Sequence, residues 1–386
     1  MIPLAVPNLS GNEGRYLQEC IETNFVSTVG PFVDRFERML ADAAGGTAAV
    51  ATSSGTAGLH AALLAVGVQR DDLVIIPDFT FIATANAVAH CGAVPWLLDV
   101  AADSWTLDPD QLAEELATNT ERCGADLIHR PSQRRIGAVM PVFTLGLPAR
   151  MDRIVETARR HGLPVVADAA AALGATMQGR AMADLGADLT VVSFNGNKTL
   201  TAGGGGGVIG GDEILCRKVR HISTVARVGA AYEHDSVGYN YRMTNLQAAV
   251  ACAQLERLDE LVSAKRRIAA TYARAFADLP GVAPFPAPGW AESACWMPGL
   301  RFLDPTHLPE VLEALQSAGI GCRPFWRSVH RQAPYRDAPA AAVPVADSLS
   351  EALLVLPCST HLSEAEQGRV IATLRACLAD GSMVPS

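Results

Sequence analysis

The chain has no surplus of positive charge. Lys and Arg total 31 against 40 Asp and Glu, a formal net charge of -9 over 386 residues with a pI near 5.5. Nucleic-acid binding needs a basic face, so no nucleic-acid partner is expected. A phosphorylated small molecule stays possible, because a few local arginines can serve it. Paired cysteine is missing too. The nine cysteines are odd in number, scattered from Cys20 to Cys377, and no C-x-x-C occurs. A reducing compartment fits this better than a disulfide framework or a zinc site. No uninterrupted apolar run approaches the roughly 18 residues of a membrane span. The start, Met1 to Asn8, lacks the basic region and apolar core of a leader peptide. The expected location is the cytoplasm, with no membrane partner and no metal. Internal repeats and long linkers are also absent.

What the chain has is apolar content, 49% of residues, with only 18% charged. At this length that composition supports a large core and two domains. Short apolar runs at 48–51, 73–76, 96–100, 136–142, 164–167 and 189–192 read as buried strands. Helix-period segments lie between them, at 32–40, 56–64, 83–88, 108–116 and 151–160. Residues 1–30 read as mixed and turn-rich, and 118–135 as a polar surface hairpin. The alternation predicts an α/β fold with a mostly parallel sheet flanked by helices, continuing through 165–207. A long amphipathic helix is predicted from 245 past 261, ending near Leu279-Pro280-Gly281. That point divides a large domain, 1–280, from a smaller α+β domain, 281–386. The smaller one reads as a strand at 296–302, a helix at 308–318, a strand around Cys322 and a final helix at 364–378.

The most informative stretch is 165–207. One apolar run ends on a carboxylate, Asp168. The next leads into Ser193-Phe194-Asn195-Gly196-Asn197-Lys198, followed by five glycines, Gly203 to Gly207. Open α/β sheets bind ligands outside the carboxyl ends of their strands. A lysine in a partly desolvated pocket has a lowered pKa and can form a Schiff base. Pyridoxal phosphate chemistry needs that amine, an Asp on the pyridine nitrogen and a phosphate cradle. Taken singly, Asp168 reads as well as a helix cap and Lys198 as a loop charge. Their spacing and context together point to a site.

A cradle is available at Ser54-Gly55-Thr56-Ala57, where a short strand turns into an apolar helix. Free backbone N–H groups and the helix dipole favour phosphate there, although Ser and Thr cap helices everywhere. Phe81, near another strand end, either stacks on an aromatic cofactor or packs in the core. Gly238 to Met243 is a compact polar–aromatic motif. Residues 323–330, running from Arg323 to His330, are rich in Arg and aromatics. Such a cluster holds phosphates and stacks on a base, or faces a neighbouring domain.

In this order the segments resemble the sugar-nucleotide aminotransferases of the DegT type, within pyridoxal phosphate fold type I. The resemblance runs through Ser54 to Ala57, Pro77 to Phe81, Ala167 to Ala170, Ser193 to Lys198, the glycine run and Gly238 to Arg242. It covers nearly the whole chain. Residues 193–198 with the glycine run, Val6 to Leu9 and Phe25 to Thr28 are similar to one branch of that family. This branch aminates UDP-4-keto-6-deoxy sugars on the route to legionaminic-type acids.

The resemblance implies a pyridoxal phosphate-dependent aminotransferase that moves an amine, with glutamate as donor, to the ketone of a nucleotide-linked deoxy sugar. Lys198 would form the Schiff base and move protons, and Asp168 would pair with the ring nitrogen. Ser54, Gly55, Thr56 and Ser193 would hold the phosphate, and Phe81 would stack on the ring. Asn240 would reach the cofactor phosphate of a neighbouring subunit, making a homodimer with shared sites. Ser27, Ala171, Tyr241, Arg323 and His330 are the expected substrate contacts. Ala171 departs from the family, which usually carries Gln, His or Glu there, so this position bears on sugar choice. Similar sequences also aminate cyclitols or other small cyclic ketones in antibiotic biosynthesis. A pyridoxal phosphate-binding regulatory protein is a further reading, but it usually carries a DNA-binding domain, for which no spare segment is seen. Lys198 argues against the related dehydratases, which have His in its place.

Overall fold

The computed structural model describes residues 1–379. Seven strands build its central sheet: β1 (Ala48–Thr52), β2 (Leu73–Pro77), β3 (Val94–Leu98), β4 (Arg134–Val139), β5 (Val166–Asp168), β6 (Leu189–Ser193) and β7 (Gly206–Gly210). Their order across the sheet is β1-β7-β6-β5-β4-β2-β3, with β4 and β5 joined by bridges at Val139–Val165 and Val142–Asp168. β7 alone runs against its neighbours. The sheet is therefore mostly parallel, as the resemblance to pyridoxal phosphate fold type I implies.

The strands are runs of Val, Ile, Leu and Ala because both faces are covered. Val50, Val74, Ile76, Val191 and Val208 face helices Gly55–Ala65, Ala83–His90 and Glu213–Ser223. Their neighbours Ala49, Ile75, Ala167, Val192 and Ile209 face helices Pro31–Ala44, Met151–Arg160 and Asn245–Leu255. Each fully buried Val or Ile contributes roughly 1.5–3 kcal/mol, so a slip of one residue in any strand would be costly. Part of the glycine run is required by packing. Gly205 has φ +99°, and a Cβ at Gly206 would stand 2.6 Å from the Gly55 nitrogen. Only glycine lets β7 lie against the start of helix Gly55–Ala65.

Several expectations are corrected. Residues 1–30 contain a helix, Glu13–Glu22, whose Tyr16 and Cys20 are buried. Its many exposed charged residues dilute the apolar spacing. Between β5 and β6 the alternation stops. No crossover helix occurs there, only a hairpin, Thr176–Met177 with Arg180–Ala181, and a short 3-10 turn. Gly174 and Gly179, both at positive φ, turn the chain before the hairpin and at its tip. The long helix from 245 breaks into Asn245–Leu255 and Leu258–Phe276. Glu256 at the break is held by Tyr16 Oη at 2.5 Å and by Arg35 at 2.6 Å. The hairpin expected within 118–135 is present, Thr120–Cys123 with Asp126–His129.

Val282–Pro284, Gly299–Phe302, Leu353–Val355 and Arg323–Pro324 form a separate antiparallel sheet. Helices Leu308–Ser317 and Glu364–Ala379 pack on it around Phe302, Leu315, Leu354 and Leu374. Ile2 is tied to this part by backbone hydrogen bonds to Gly319 and Gly321. The strand predicted at 296–302 begins only at Gly299. Cys295 takes φ +51° and Trp296 is directed instead toward Lys198. Among the described residues no helix is long and apolar enough to cross a membrane.

Candidate active site

β5 ends on Asp168, which is 5% exposed. Its Oδ2 accepts a hydrogen bond from Thr84 Oγ1 at 2.7 Å, and its Oδ1 accepts one from the Ala170 N–H at 3.1 Å. Burial pushes the carboxyl above the ordinary carboxylate range. The Thr84 and Ala170 bonds and the Lys198 ammonium pull it part of the way back. Lys198 lies in the loop after β6, its N–H bonded to the Asn195 carbonyl at 2.9 Å. The residue keeps some exposure, but its amine points into the protein, 3.9 Å from the centre of the Trp296 ring. Loss of water lowers its pKa to about 8 against the opposing pull of Asp168.

Both groups line one cavity of about 280 Å³. Its floor is the start of helix Gly55–Ala65. Ser54 caps that helix, its Oγ accepting from the Ala57 N–H at 3.1 Å. The N–H groups of Gly55 and Thr56, in the first turn, have no intrahelical acceptor. Ser193 stands beside them, so close that a Cβ at Gly55 would meet Ser193 Cβ at 2.9 Å. Phe81 and Trp326, their ring centres 6.0 Å apart, form an aromatic wall. Phe81 is 52% exposed and is not a core residue. Ala171 and Arg323 complete the lining. Arg323 is exposed, meets Met297 Sδ at 3.9 Å and has no ion pair among the described residues.

The cavity thus gathers Ser54, Gly55, Thr56, Phe81, Asp168, Ala171, Ser193, Lys198 and Arg323. Four expected residues lie outside it. His330 Nδ1 is bonded to Asp78 Oδ2 at 2.7 Å, and its backbone N–H to Asp78 Oδ1 at 2.9 Å. Asp78 is fully buried, and this pairing turns His330 away from a substrate role. Tyr241 Oη contacts His60 Nδ1 at 3.0 Å and its ring stacks on Tyr239. Ser27 and Asn240 are exposed and outside the cavity lining of their own chain. Sequence reasoning missed Thr84, Trp296 and Trp326. Thr84, in the first turn of helix Ala83–His90, bonds to Thr80 in the loop before that helix at 2.8 Å. Trp296 was hidden in a stretch that reads as strand.

A lysine and a carboxylate at the strand ends of this sheet suit pyridoxal phosphate. The comparisons agree. Residues 7–375 match the DegT/DnrJ/EryC1/StrS aminotransferase family, and the chain belongs to it. The family makes the protein a pyridoxal phosphate-dependent aminotransferase. It is 37% identical to the GDP-perosamine synthase of Caulobacter vibrioides over 97% of each chain. It is 35% identical to a Bacillus subtilis protein named as a pyridoxal phosphate-dependent aminotransferase, EpsN, over 97% of this chain and 95% of that one. The crystal structure of the aminotransferase TlmJ from Streptoalloteichus hindustanus superposes with a TM-score of 0.88 at 27% identity, over 98% and 99% of the two chains.

Proposed function

We propose that the protein transfers an amino group from glutamate to the keto group of a nucleotide-linked deoxy sugar. The observation that carries this reading is the shared cavity of a buried carboxylate and a lysine with a pKa near 8. The residues present fit the cofactor. Gly55 and Thr56 offer N–H groups, no Cβ intrudes at Gly55 or Gly206, and Phe81 offers an exposed ring face. Bound pyridoxal phosphate supplies an aldehyde that takes up an amine and a ring that accepts electrons from an adjacent carbanion.

The chain does the rest. Lys198, partly uncharged near neutral pH, would hold the cofactor through its aldehyde carbon, with loss of water, and when released would take up and return a proton. Asp168 offers its charge to a protonated ring nitrogen, with Thr84 holding the carboxylate in place. Ser54, Gly55, Thr56 and Ser193 bind the phosphate at the helix start. Arg323, an exposed cation in the cavity lining without a partner carboxylate among the described residues, suits the donor's carboxylate or a sugar-nucleotide phosphate. Residues 281–386 act as a smaller domain that carries Trp296, Arg323 and Trp326 to the cavity.

The active unit is proposed to be a homodimer with shared sites. Asn240 is exposed and lies outside its own cavity lining. Phe25, Val26, Val29, Tyr232 and Val237, from the segments around Ser27 and Asn240, leave large apolar side chains exposed, as an unpaired interface does. The cytoplasm is the proposed location. A relative named for a GDP-linked sugar and a branch resemblance to UDP-linked 4-keto-6-deoxyhexoses both support a sugar-nucleotide acceptor.

The test begins with cofactor-loaded protein and glutamate. Loss of the visible absorbance of lysine-bound cofactor is expected. A panel of GDP- and UDP-linked keto sugars, with cyclic ketones beside them, is then screened for its return. Return with a keto-sugar nucleotide supports the reading. Return only with a cyclic ketone overturns the sugar assignment, and no response to glutamate overturns the donor.

A further inference from the structure

Lys265 is a buried lysine that the chemistry above does not use. It lies in helix Leu258–Phe276, is 2% exposed, and has no carboxylate partner among the described residues. Its Nζ donates to the Trp296 carbonyl at 3.0 Å and the Cys358 carbonyl at 2.7 Å, and lies 3.3 Å from Cys358 Sγ. Burying a cation without a counter-charge is unfavourable, and an apolar side chain of equal length would fill the space at less cost. Packing alone does not account for it.

What these bonds hold is Trp296. That residue is 3% exposed, and its indole N–H donates to the carbonyl of Asn197, next to Lys198, at 2.7 Å. Its backbone N–H donates to the Leu145 carbonyl at 3.1 Å, and its ring lies 6.1 Å from both Phe325 and Trp326. The indole is therefore fixed at its nitrogen, its backbone and its edges. The face it presents carries the Lys198 amine at 3.9 Å.

We propose that the Trp296 ring is the berth of the Lys198 amine while that amine is not bonded to the cofactor, and that Lys265 is the positioning residue that keeps the ring there. This rests on Lys198 being the amine that bonds the cofactor. A tryptophan face attracts an ammonium and also shuts out water, which favours the neutral amine. The berth keeps the released amine close to the cavity and neither strongly charged nor free to drift. The charged group acting on the amine is Asp168 from β5, and Arg323 lines the same cavity. Lys265 and Cys358 stand behind the indole. Asp168 is the charge that acts on the amine directly, so Lys265 acts through the ring.

Full-length protein loaded with cofactor provides the test. It is prepared in the lysine-bound form and in the form aminated by glutamate, where the Lys198 amine is free. Competitive acetylation of Lys198 across pH is read by peptide mass spectrometry. The lysine-bound form should be protected and the aminated form labelled. Trp296→Ala admits water, so the labelling midpoint of the aminated form should rise toward the ordinary lysine value of about 10.4. Trp296→Leu keeps the cover but removes the cation-binding face, so the midpoint should fall. Lys265→Met should raise the midpoint by about one unit, or about tenfold less labelling at pH 7. Lys265→Gln, which keeps donors for the two carbonyls, should restore it. Lys265→Met should add nothing in the Trp296→Ala background. An unmoved midpoint in Lys265→Met, or additive shifts in the double variant, would overturn the proposal. Missing protection in the lysine-bound form would instead count against Lys198 as the cofactor's amine.

Discussion

Thr84→Val deletes one hydroxyl and keeps the shape of the side chain. That hydroxyl donates to Asp168 Oδ2 at 2.7 Å, and both residues are buried. Without it the carboxylate keeps only the Ala170 N–H at 3.1 Å. A hydrogen bond to a charged group is worth about 1.5–3 kcal/mol, which corresponds to about one to two pKa units. Burial already holds Asp168 above the ordinary carboxylate range, and the Thr84 bond is the first of the effects opposing it. The variant therefore has a still higher pKa. A carboxyl raised in the folded state adds stability at pH below its unfolded pKa and loses it as pH rises through the folded one. Cofactor-free Thr84→Val should accordingly be less stable than wild type by about 1.5–3 kcal/mol above both folded pKa values. In acid, with the carboxyl protonated in both proteins, the deficit should shrink to about 1 kcal/mol, the worth of a neutral bond such as the lost contact with Thr80. Denaturant unfolding at pH 4 and pH 8 shows whether the deficit grows as pH rises. In the loaded enzyme the acidic limb of the activity profile should move up by about one to two units. Equal stability losses at the two pH values, with an unmoved acidic limb, would refute the reasoning.

Mixing inactive Lys198→Ala and inactive Asn240→Ala proteins under subunit exchange should restore activity, because one of the two sites in a mixed dimer has both residues intact. No recovery despite proven exchange would place Asn240 in cis or outside the reaction. Ala171→Glu puts a carboxylate into the cavity lining. It should leave cofactor loading and the glutamate half-reaction intact but change the order of preference among keto sugars and cyclitols. Parallel kinetics over such a panel decide this. His330→Ala removes the imidazole from the fully buried Asp78, whose carboxyl burial already pushes up, and leaves it the backbone N–H of residue 330. Losing a hydrogen bond to a buried charged group costs about 1.5–3 kcal/mol, so unfolding should come earlier at neutral pH. The loss should be smaller in acid, where Asp78 is protonated. A pH-independent loss would mean that the pairing is not what His330 contributes.

Six of the seven strands were legible because they are short, uninterrupted and apolar, and helices of clear period separate the first five; β7, Gly206–Gly210, was hidden in the glycine run. Legibility failed where period and burial part company. Helix Glu13–Glu22 buries only Glu13, Tyr16 and Cys20, too few apolar side chains to stand out in sequence. The hairpin between β5 and β6 rests on Gly174 and Gly179, whose positive φ says nothing of what replaces a helix. Within the site, Asp168 and Lys198 could be read because strand ends carry function in such sheets. Trp296 could not, since it comes from the separate antiparallel part, 98 residues along the chain from Lys198. Thr84 could not, since its bond to Asp168 joins a helix to a strand. His330 misled because Arg, aromatic and His side chains in sequence resemble a ligand cluster, whereas folding gives His330 to Asp78.

The central claim is that Lys198 is the residue to which the cofactor is bonded. The chain has three lysines, Lys198, Lys218 and Lys265, so reductive trapping gives an unambiguous answer. Purified protein loaded with pyridoxal phosphate is treated with borohydride, digested and mapped by mass spectrometry. The account predicts that the cofactor mass is found on the Lys198 peptide alone and is absent when glutamate is added before the reductant. Label on the Lys218 or Lys265 peptide, or no label on any, would contradict it.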